Sequence, residues 1–188
     1  ELGYSGEIVY LNPKTRELFP DVASSGLKHP ILSGLRQLIQ KFKDGEIYVR
    51  ILESVRGCDV FVIQPTSQDV NSNLMELLLI VDALKRSSPA RIAAVIPYFG
   101  YSRQDRKAKA REPISAKLVA RMIETAGVNV VMAFDLHVAQ LQGFFDIPSD
   151  NLDVFPLYID HILRKRLSNI VFVAPDVGAV TRTRALAN

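Results

Sequence analysis

Five cationic side chains, Arg103, Arg106, Lys107, Lys109 and Arg111, fall within residues 103–111, opposed there only by Asp105. Forked guanidinium donors and ammonium point charges at that density suit a polyanion. A nucleotide phosphate chain fits better than nucleic acid, because no aromatic residues interleave with the cluster and no nucleic-acid module surrounds it. A solvated basic loop is the plain alternative. Asp135 and His137 stand two apart, so in an extended segment they point to one side and would share a magnesium ion or its water shell. The following segment, 138–150, adds Gln140, Gln142, Asp146 and Asp150 as further oxygen donors. His29 and His161 have no such company and read as surface or helix residues. Asp176, followed by Gly178, Thr181, Arg182 and Arg184, is either a helix cap or a ligand of magnesium or of its water. Asp44-Gly45, within residues 42–46, is a turn signal.

These residues need a scaffold that brings them to one edge. Cys58–Pro65, Arg91–Tyr98 and Val128–Leu136 are nearly continuous apolar runs, the pattern of parallel strands covered on both faces. Asn71–Arg86 and Ile114–Ala126 carry apolar residues at helical spacing, with Pro113 suited to a first turn and Gly127 to a C-terminal cap. A helix at Leu157–Leu167 and a strand at Ile170–Pro175 continue the alternation, giving an α/β class with right-handed crossovers. Gly45–Leu52 and Ile8–Leu11 read as strands and His29–Phe42 as a helix, with Pro20 and Ala23-Ser-Ser-Gly26 breaking the stretch between. In an open α/β sheet ligands gather beyond the carboxyl ends of the strands. The polar segments after Ile96, Phe134 and Val173, which hold the basic cluster, Asp135 and His137, and Asp176, lie at such ends.

The 188 residues are 48% hydrophobic, enough for a substantial core. No apolar stretch is long enough to cross a bilayer and the N-terminus lacks signal-peptide order, so a cytoplasmic setting is expected. The lone Cys58 excludes an internal disulfide, sits beside an apolar run and reads as packed. There is neither a GxxxxGK[ST] nor a GxGxxG loop, so phosphate handling here would need other means.

Across residues 42–188 the chain resembles the ribose-phosphate diphosphokinases (PRPP synthetases), most closely the bacterial type. The resemblance is carried by Asp44-Gly-Glu46, Glu53-Ser-Val-Arg-Gly57, Asn73-Leu-Met-Glu-Leu-Leu78, Ala94-Val-Ile-Pro-Tyr-Phe-Gly-Tyr101, Arg103-Gln-Asp-Arg-Lys107, Pro113-Ile-Ser-Ala-Lys-Leu-Val119, Asp135-Leu-His137 and Gln142-Gly-Phe-Phe-Asp-Ile-Pro148. It implies transfer of the diphosphoryl group of ATP to the C1 hydroxyl of ribose 5-phosphate, releasing AMP, with Mg2+ as cofactor. It implies an ATP site at Arg103, Gln104, Asp105 and Lys107, completed by an adenine-binding hairpin at Phe42, Asp44, Gly45 and Glu46 that a neighbouring subunit lends. His137 and Asp176 resemble the magnesium site, with Asp135 beside them. Ser54 and Arg56 lie in a segment resembling part of a regulatory region, where phosphate activates and ADP inhibits at subunit interfaces.

The resemblance further implies type I phosphoribosyltransferase-like domains, here residues 1–150 as an ATP and magnesium domain and 151–188 as the start of a similar one. It implies hexameric homo-oligomers and a role in supplying PRPP for purine, pyrimidine, histidine and NAD synthesis. Residues 1–41 depart from the family pattern, Lys43 replaces a small polar residue, and Ala179 stands where a second glycine is common. The family's catalytic lysine loop and ribose-phosphate loop have no counterpart in the 188 residues, so the chain alone is expected to be inactive. A regulatory relative that binds partners without releasing AMP is the alternative, and a nucleic-acid-binding module a remote third.

Overall fold

Residues whose side chains are apolar at nearly every position cannot leave one strand face in water, and they form the centre of a parallel sheet. A computed structural model of the chain describes residues 8–11, 33–34 and 37–187. The strands are β1 (Ile8–Leu11), β2 (Ser33–Gly34), β3 (Gln37–Lys41), β4 (Ile47–Ile51), β5 (Asp59–Ile63), β6 (Arg91–Ile96), β7 (Val130–Phe134) and β8 (Ser149–Leu152). The helices are α1 (Val70–Arg86), α2 (Ser115–Ala126), α3 (Phe155–Arg164) and α4 (Val180–Ala187). Two compact units divide the chain, Glu1–Leu152 and Asp153–Asn188.

In the first unit a six-stranded sheet has the order β2-β1-β5-β6-β7-β8, and every pair in it is parallel. The pairing of β5 with β6 runs from Asp59 opposite Arg91 to Ile63 opposite Val95. An Arg91–Asp59 ion pair of 2.8 Å closes its starting end. Helices α1 and α2 flank the sheet and bury Leu77, Ile80, Leu84, Ala116, Ala120 and Ile123 against Val60, Val62, Ala94, Ile96 and Val131. On the exposed side of α1, a hydrogen bond from Arg86 holds the Asp82 carboxyl below its ordinary value. Gly127 ends α2 in the left-handed conformation, as its sequence position implies. Pro113 lies before the N-cap residue Ile114 rather than in the first turn. Cys58 is half-buried, packed against the core and free.

The helix expected at His29–Phe42 is not formed in its described part. Gln37–Lys41 is instead β3, antiparallel to β4, with Lys41 opposite Ile47. The Asp44-Gly45 turn reverses the chain, so two short segments satisfy their backbone groups by pairing with one another. Ile39, Val49 and Ile51 of this hairpin face the core, and β4 packs on α1. Residues 29–32 and 35–36 of the expected helix, and the breaks at Pro20 and 23–26, lie outside the described residues, His29 among them.

In the second unit, α3 matches the expected helix and carries His161 on its exposed surface. The strand expected at Ile170–Pro175 is absent. A strand exists by virtue of a ladder partner, and among the described residues that segment has none; Val171 and Val173 are 81% and 78% exposed.

Candidate functional site

Because the sheet is parallel, the carboxyl ends of β5, β6 and β7 share one edge, and the segments leaving them meet there. Past the β5 and β6 ends, pairing persists through Gln64 N–H to Val95 O (2.9 Å) and Thr66 N–H to Tyr98 O (3.0 Å). The buried Thr66 hydroxyl donates to Tyr98 O (2.8 Å) and accepts from Gly100 N–H (2.7 Å). That draws Gly100 so close that a Cβ there would stand 2.7 Å from Val70 Cγ1 and 2.8 Å from Thr66 O. Only glycine fits this approach.

A cleft of about 330 Å³ opens beside it, lined by Asp69, Asn71, Tyr98, Tyr101, Arg103 and Gln104. Asp69 (φ 65°) and Tyr101 (φ 64°) both hold left-handed backbone conformations. Non-glycine residues there carry local strain, a feature that gathers at ligand sites. The Tyr101 hydroxyl is bonded to Asn71 Oδ1 across the cleft. Lys41 of β3 donates to Ser72 Oγ (2.8 Å) and lies 3.9 Å from Asp69, tying the hairpin to the α1 end of the cleft.

The basic cluster leaves this cleft as an exposed loop. Arg103, Gln104, Arg106, Lys107, Lys109 and Arg111 are exposed, and Asp105 is half-buried. Gln104 is fixed from α2: Ser115 Oγ donates to its Oε1 (2.6 Å), and Ala116 N–H to its carbonyl (3.2 Å). Glu112 folds the loop back by accepting from the N–H groups of Ala108 and Lys109, each at 2.8 Å. Exposed cations held on a braced loop at a strand end are what a phosphate chain requires.

At the β7 end, Asp135 is half-buried and left-handed (φ 44°), its N–H donating to Leu152 O (3.1 Å). Leu136 is buried, its N–H donating to Asn151 Oδ1 (2.9 Å), and His137 is exposed. The chain bends at Asp135 instead of running on as a strand, so the extended geometry expected for Asp135 and His137 does not hold. Among the described residues no group of three His, Cys, Asp or Glu side chains is gathered to hold a metal, so Asp146 and Asp150 do not join His137 in a cluster. Gln142 bonds locally to Ala139 O (3.3 Å). Asp135 and His137 both lie on the loop that leaves this edge, one half-buried and the other exposed. Of the two, the Asp135 carboxylate is the oxygen donor type that magnesium takes, alongside its waters and phosphate oxygens.

Asp176 lies in the second unit and caps a short 3-10 turn at Val177–Ala179, its carboxylate accepting from Ala179 N–H at 2.9 Å. The cap reading of this residue is therefore realised. In the hairpin, Asp44 Oδ1 accepts from Glu46 N–H (3.1 Å), and Phe42 N–H bonds Glu46 O (2.8 Å). Gly45 sits at φ 94°, and Phe42, Asp44 and Glu46 are all exposed at the tip. Ser54 and Arg56 are exposed on the segment between β4 and β5. Thr66, Asp69 and Asn71 were not singled out from sequence. Their signal is position, since they follow β5 at the same edge as the segments after β6 and β7.

Comparison with known proteins gives concordant results. Residues 16–127, more than half of the chain, match the family model for the N-terminal domain of ribose phosphate pyrophosphokinase. The chain is 59% identical over 152 residues to a ribose-phosphate pyrophosphokinase of Cereibacter sphaeroides, covering 79% of this chain and 45% of that protein. It is 49% identical over 184 residues to one from Parasynechococcus marenigrum, covering 94% and 56%. The chain thus spans about half the length of the curated relatives it matches. The crystal structure of phosphoribosylpyrophosphate synthetase from Mycobacterium smegmatis superposes with a TM-score of 0.80 at 39% identity, covering 97% of this chain and 60% of that one. The parallel sheet flanked by helices is a type I phosphoribosyltransferase-like fold. The match of residues 16–127 to the model of its N-terminal domain shows that the chain belongs to the ribose phosphate pyrophosphokinase family.

Proposed function

We propose that this chain supplies the nucleotide and Mg2+ half of a ribose-phosphate diphosphokinase, whose reaction moves the diphosphoryl group of ATP to the C1 hydroxyl of ribose 5-phosphate. The observation that carries this reading is the cleft of about 330 Å³ at the parallel-sheet edge, with Arg103 and Gln104 in its wall and Arg106 and Lys107 continuing from it. Arg103 offers a planar fork to phosphate oxygens, and Lys107 a mobile point charge farther along the chain of phosphates. Gln104, held by Ser115 and Ala116, fixes the orientation of the nucleotide beside them. Phe42 at the hairpin tip presents an exposed ring, 50% accessible, suited to an adenine face. It acts on the site of a neighbouring subunit in a homo-oligomer of hexameric type.

Attack on the β-phosphorus must occur in line, so the chain's contribution is positioning and charge neutralisation. Asp135 and His137 would hold magnesium in this reading, and Asp176 is carried over from the resemblance as a further magnesium residue. When bound, the ion neutralises charge on the phosphate oxygens and polarises the β-phosphorus. Residues 1–150 are the nucleotide domain in this reading and 151–188 the start of a similar one. Ser54 and Arg56 belong to a regulatory surface, and the setting is cytoplasmic.

Calorimetric titration with ATP tests the nucleotide assignment. Arg103→Ala removes a charge-assisted contact worth about 1.5–3 kcal/mol, so affinity should fall roughly tenfold or more. Equal affinity of variant and wild type would remove Arg103 from the site.

A further inference from the structure

One helix touches both halves of this edge. The first turn of α2 holds Gln104 through Ser115 and Ala116. Farther along, the Lys117 ammonium donates to Phe144 O at 2.6 Å. The Glu124 carboxylate accepts from the N–H groups of Asp146 and of Ile147, the latter at 3.4 Å. Residues 117 and 124 are two helical turns apart and so lie on one face. Phe144, Asp146 and Ile147 belong to the segment that leaves β7 through His137 and passes through the 3-10 turn Ala139–Phe144. The same segment is pinned by Phe145, which meets Phe99 of the cleft loop edge to face, with centroids 5.8 Å apart and planes at 71°.

His137 is exposed and is carried by its loop rather than by packing of its own ring. Its position is set where that loop is anchored. At one end the anchors are Asp135 N–H to Leu152 O and Leu136 N–H to Asn151. At the other they are Lys117 and Glu124. A carbonyl can also be satisfied by water, whereas the Lys117 ammonium at 2.6 Å adds a charge-assisted tie between α2 and the loop backbone.

We propose that Lys117 is a positioning residue for the magnesium-dependent part of nucleotide binding, holding the His137 loop at a fixed offset from the Gln104 loop through α2. The inference rests on the reading of His137 as a magnesium-holding group. It assigns Lys117 no contact with the nucleotide. Removal of its ammonium should therefore spare what the cationic loop contributes and reduce what magnesium adds.

The test is ATP titration of the whole chain by calorimetry, with and without magnesium, on wild type, Lys117→Met, Lys117→Arg, Glu124→Gln and His137→Ala. Thermal melting of each variant is recorded alongside. Lys117→Met keeps the aliphatic stem and should leave magnesium-free affinity within about twofold, while the gain on adding magnesium falls tenfold or more. Lys117→Arg, which can still donate to Phe144 O, should restore most of that gain. Glu124→Gln, which keeps an acceptor oxygen, should lose less than Lys117→Met. A wild-type magnesium gain in Lys117→Met, beside a His137→Ala variant that has lost it, would overturn the role of Lys117 alone. Loss of magnesium-free and magnesium-bound affinity in equal measure would reduce Lys117 to a structural residue and overturn it too. An unchanged gain in His137→Ala, or no gain in wild type, would overturn the underlying reading and this inference with it.

Discussion

Thr66 and Gly100 decide the shape of the cleft floor, though neither carries charge. A methyl group on residue 100 would stand 2.8 Å from the Thr66 carbonyl, which is backbone and cannot swing aside. Gly100→Ala should therefore destabilise the chain by about 1–3 kcal/mol, the usual range for overpacking, measured by urea denaturation. Thr66→Val conserves shape but orphans the buried Gly100 N–H and removes a bond to Tyr98 O. Its cost should be about 1–3 kcal/mol, the desolvation penalty of an unsatisfied buried group. If Thr66→Val unfolded at the wild-type denaturant midpoint, the hydroxyl would have no such role. At this scale Arg103 and Lys107 stand out in the sequence by type and density and Asp135 and His137 by type, but the bend at Asp135 (φ 44°) removes the spacing argument for that pair. The sequence was silent at Thr66, Asp69 and Asn71, because an ordinary threonine or a left-handed aspartate acquires its role only from where β5 ends.

The strands and helices of the first unit built from long apolar or periodic runs were read to within about two residues, because burial leaves those residues few alternatives. The hairpin β3–β4 was half misread. Residues 29–42 have no dominant period, and what fixes 37–41 as a strand is its antiparallel partner across the Asp44-Gly45 turn, a contact local propensity does not encode. Gly45 at φ 94° carries that reversal. Gly45→Val should cost about 1–3 kcal/mol of local strain and be felt by the hairpin first. Hydrogen exchange would show it as faster exchange at the Phe42 and Gly45 amides, with β5 and β6 amides unchanged. Uniform acceleration across the sheet would mean the hairpin does not open independently. Ser115→Ala belongs to α2 in the same way. It frees the Gln104 side chain, so nucleotide affinity should weaken about three- to tenfold with or without magnesium, corresponding to a neutral hydrogen bond of roughly 0.5–1.5 kcal/mol. A deficit seen only with magnesium would reassign Ser115 to the His137 side.

At the scale of the whole molecule, the apolar pattern of Ile170–Pro175 reads as a strand and yet forms none. Pattern specifies that a segment is fit for a sheet, but a strand needs a neighbour to accept its hydrogen bonds, and the described residues offer it none. The two units differ correspondingly in how their backbone bonds are protected. In the first, Val60, Val62, Ala94, Ile96 and Val131 are at most 1% exposed beneath α1 and α2. In the second, α3 and α4 bury no residue, and Leu157, Leu163 and Val177 are 64%, 70% and 90% exposed. Opening free energy follows local burial, so native-state exchange should be graded along the chain. Amides of β5, β6 and β7 should exchange only through global unfolding, with a denaturant dependence equal to that of the whole transition. Those of α3 and α4 in the isolated chain should exchange through local openings that depend little on denaturant. Equal protection in both units would show that the second has found cover for its apolar side chains, and analytical ultracentrifugation of the same sample would show whether a second copy provides it.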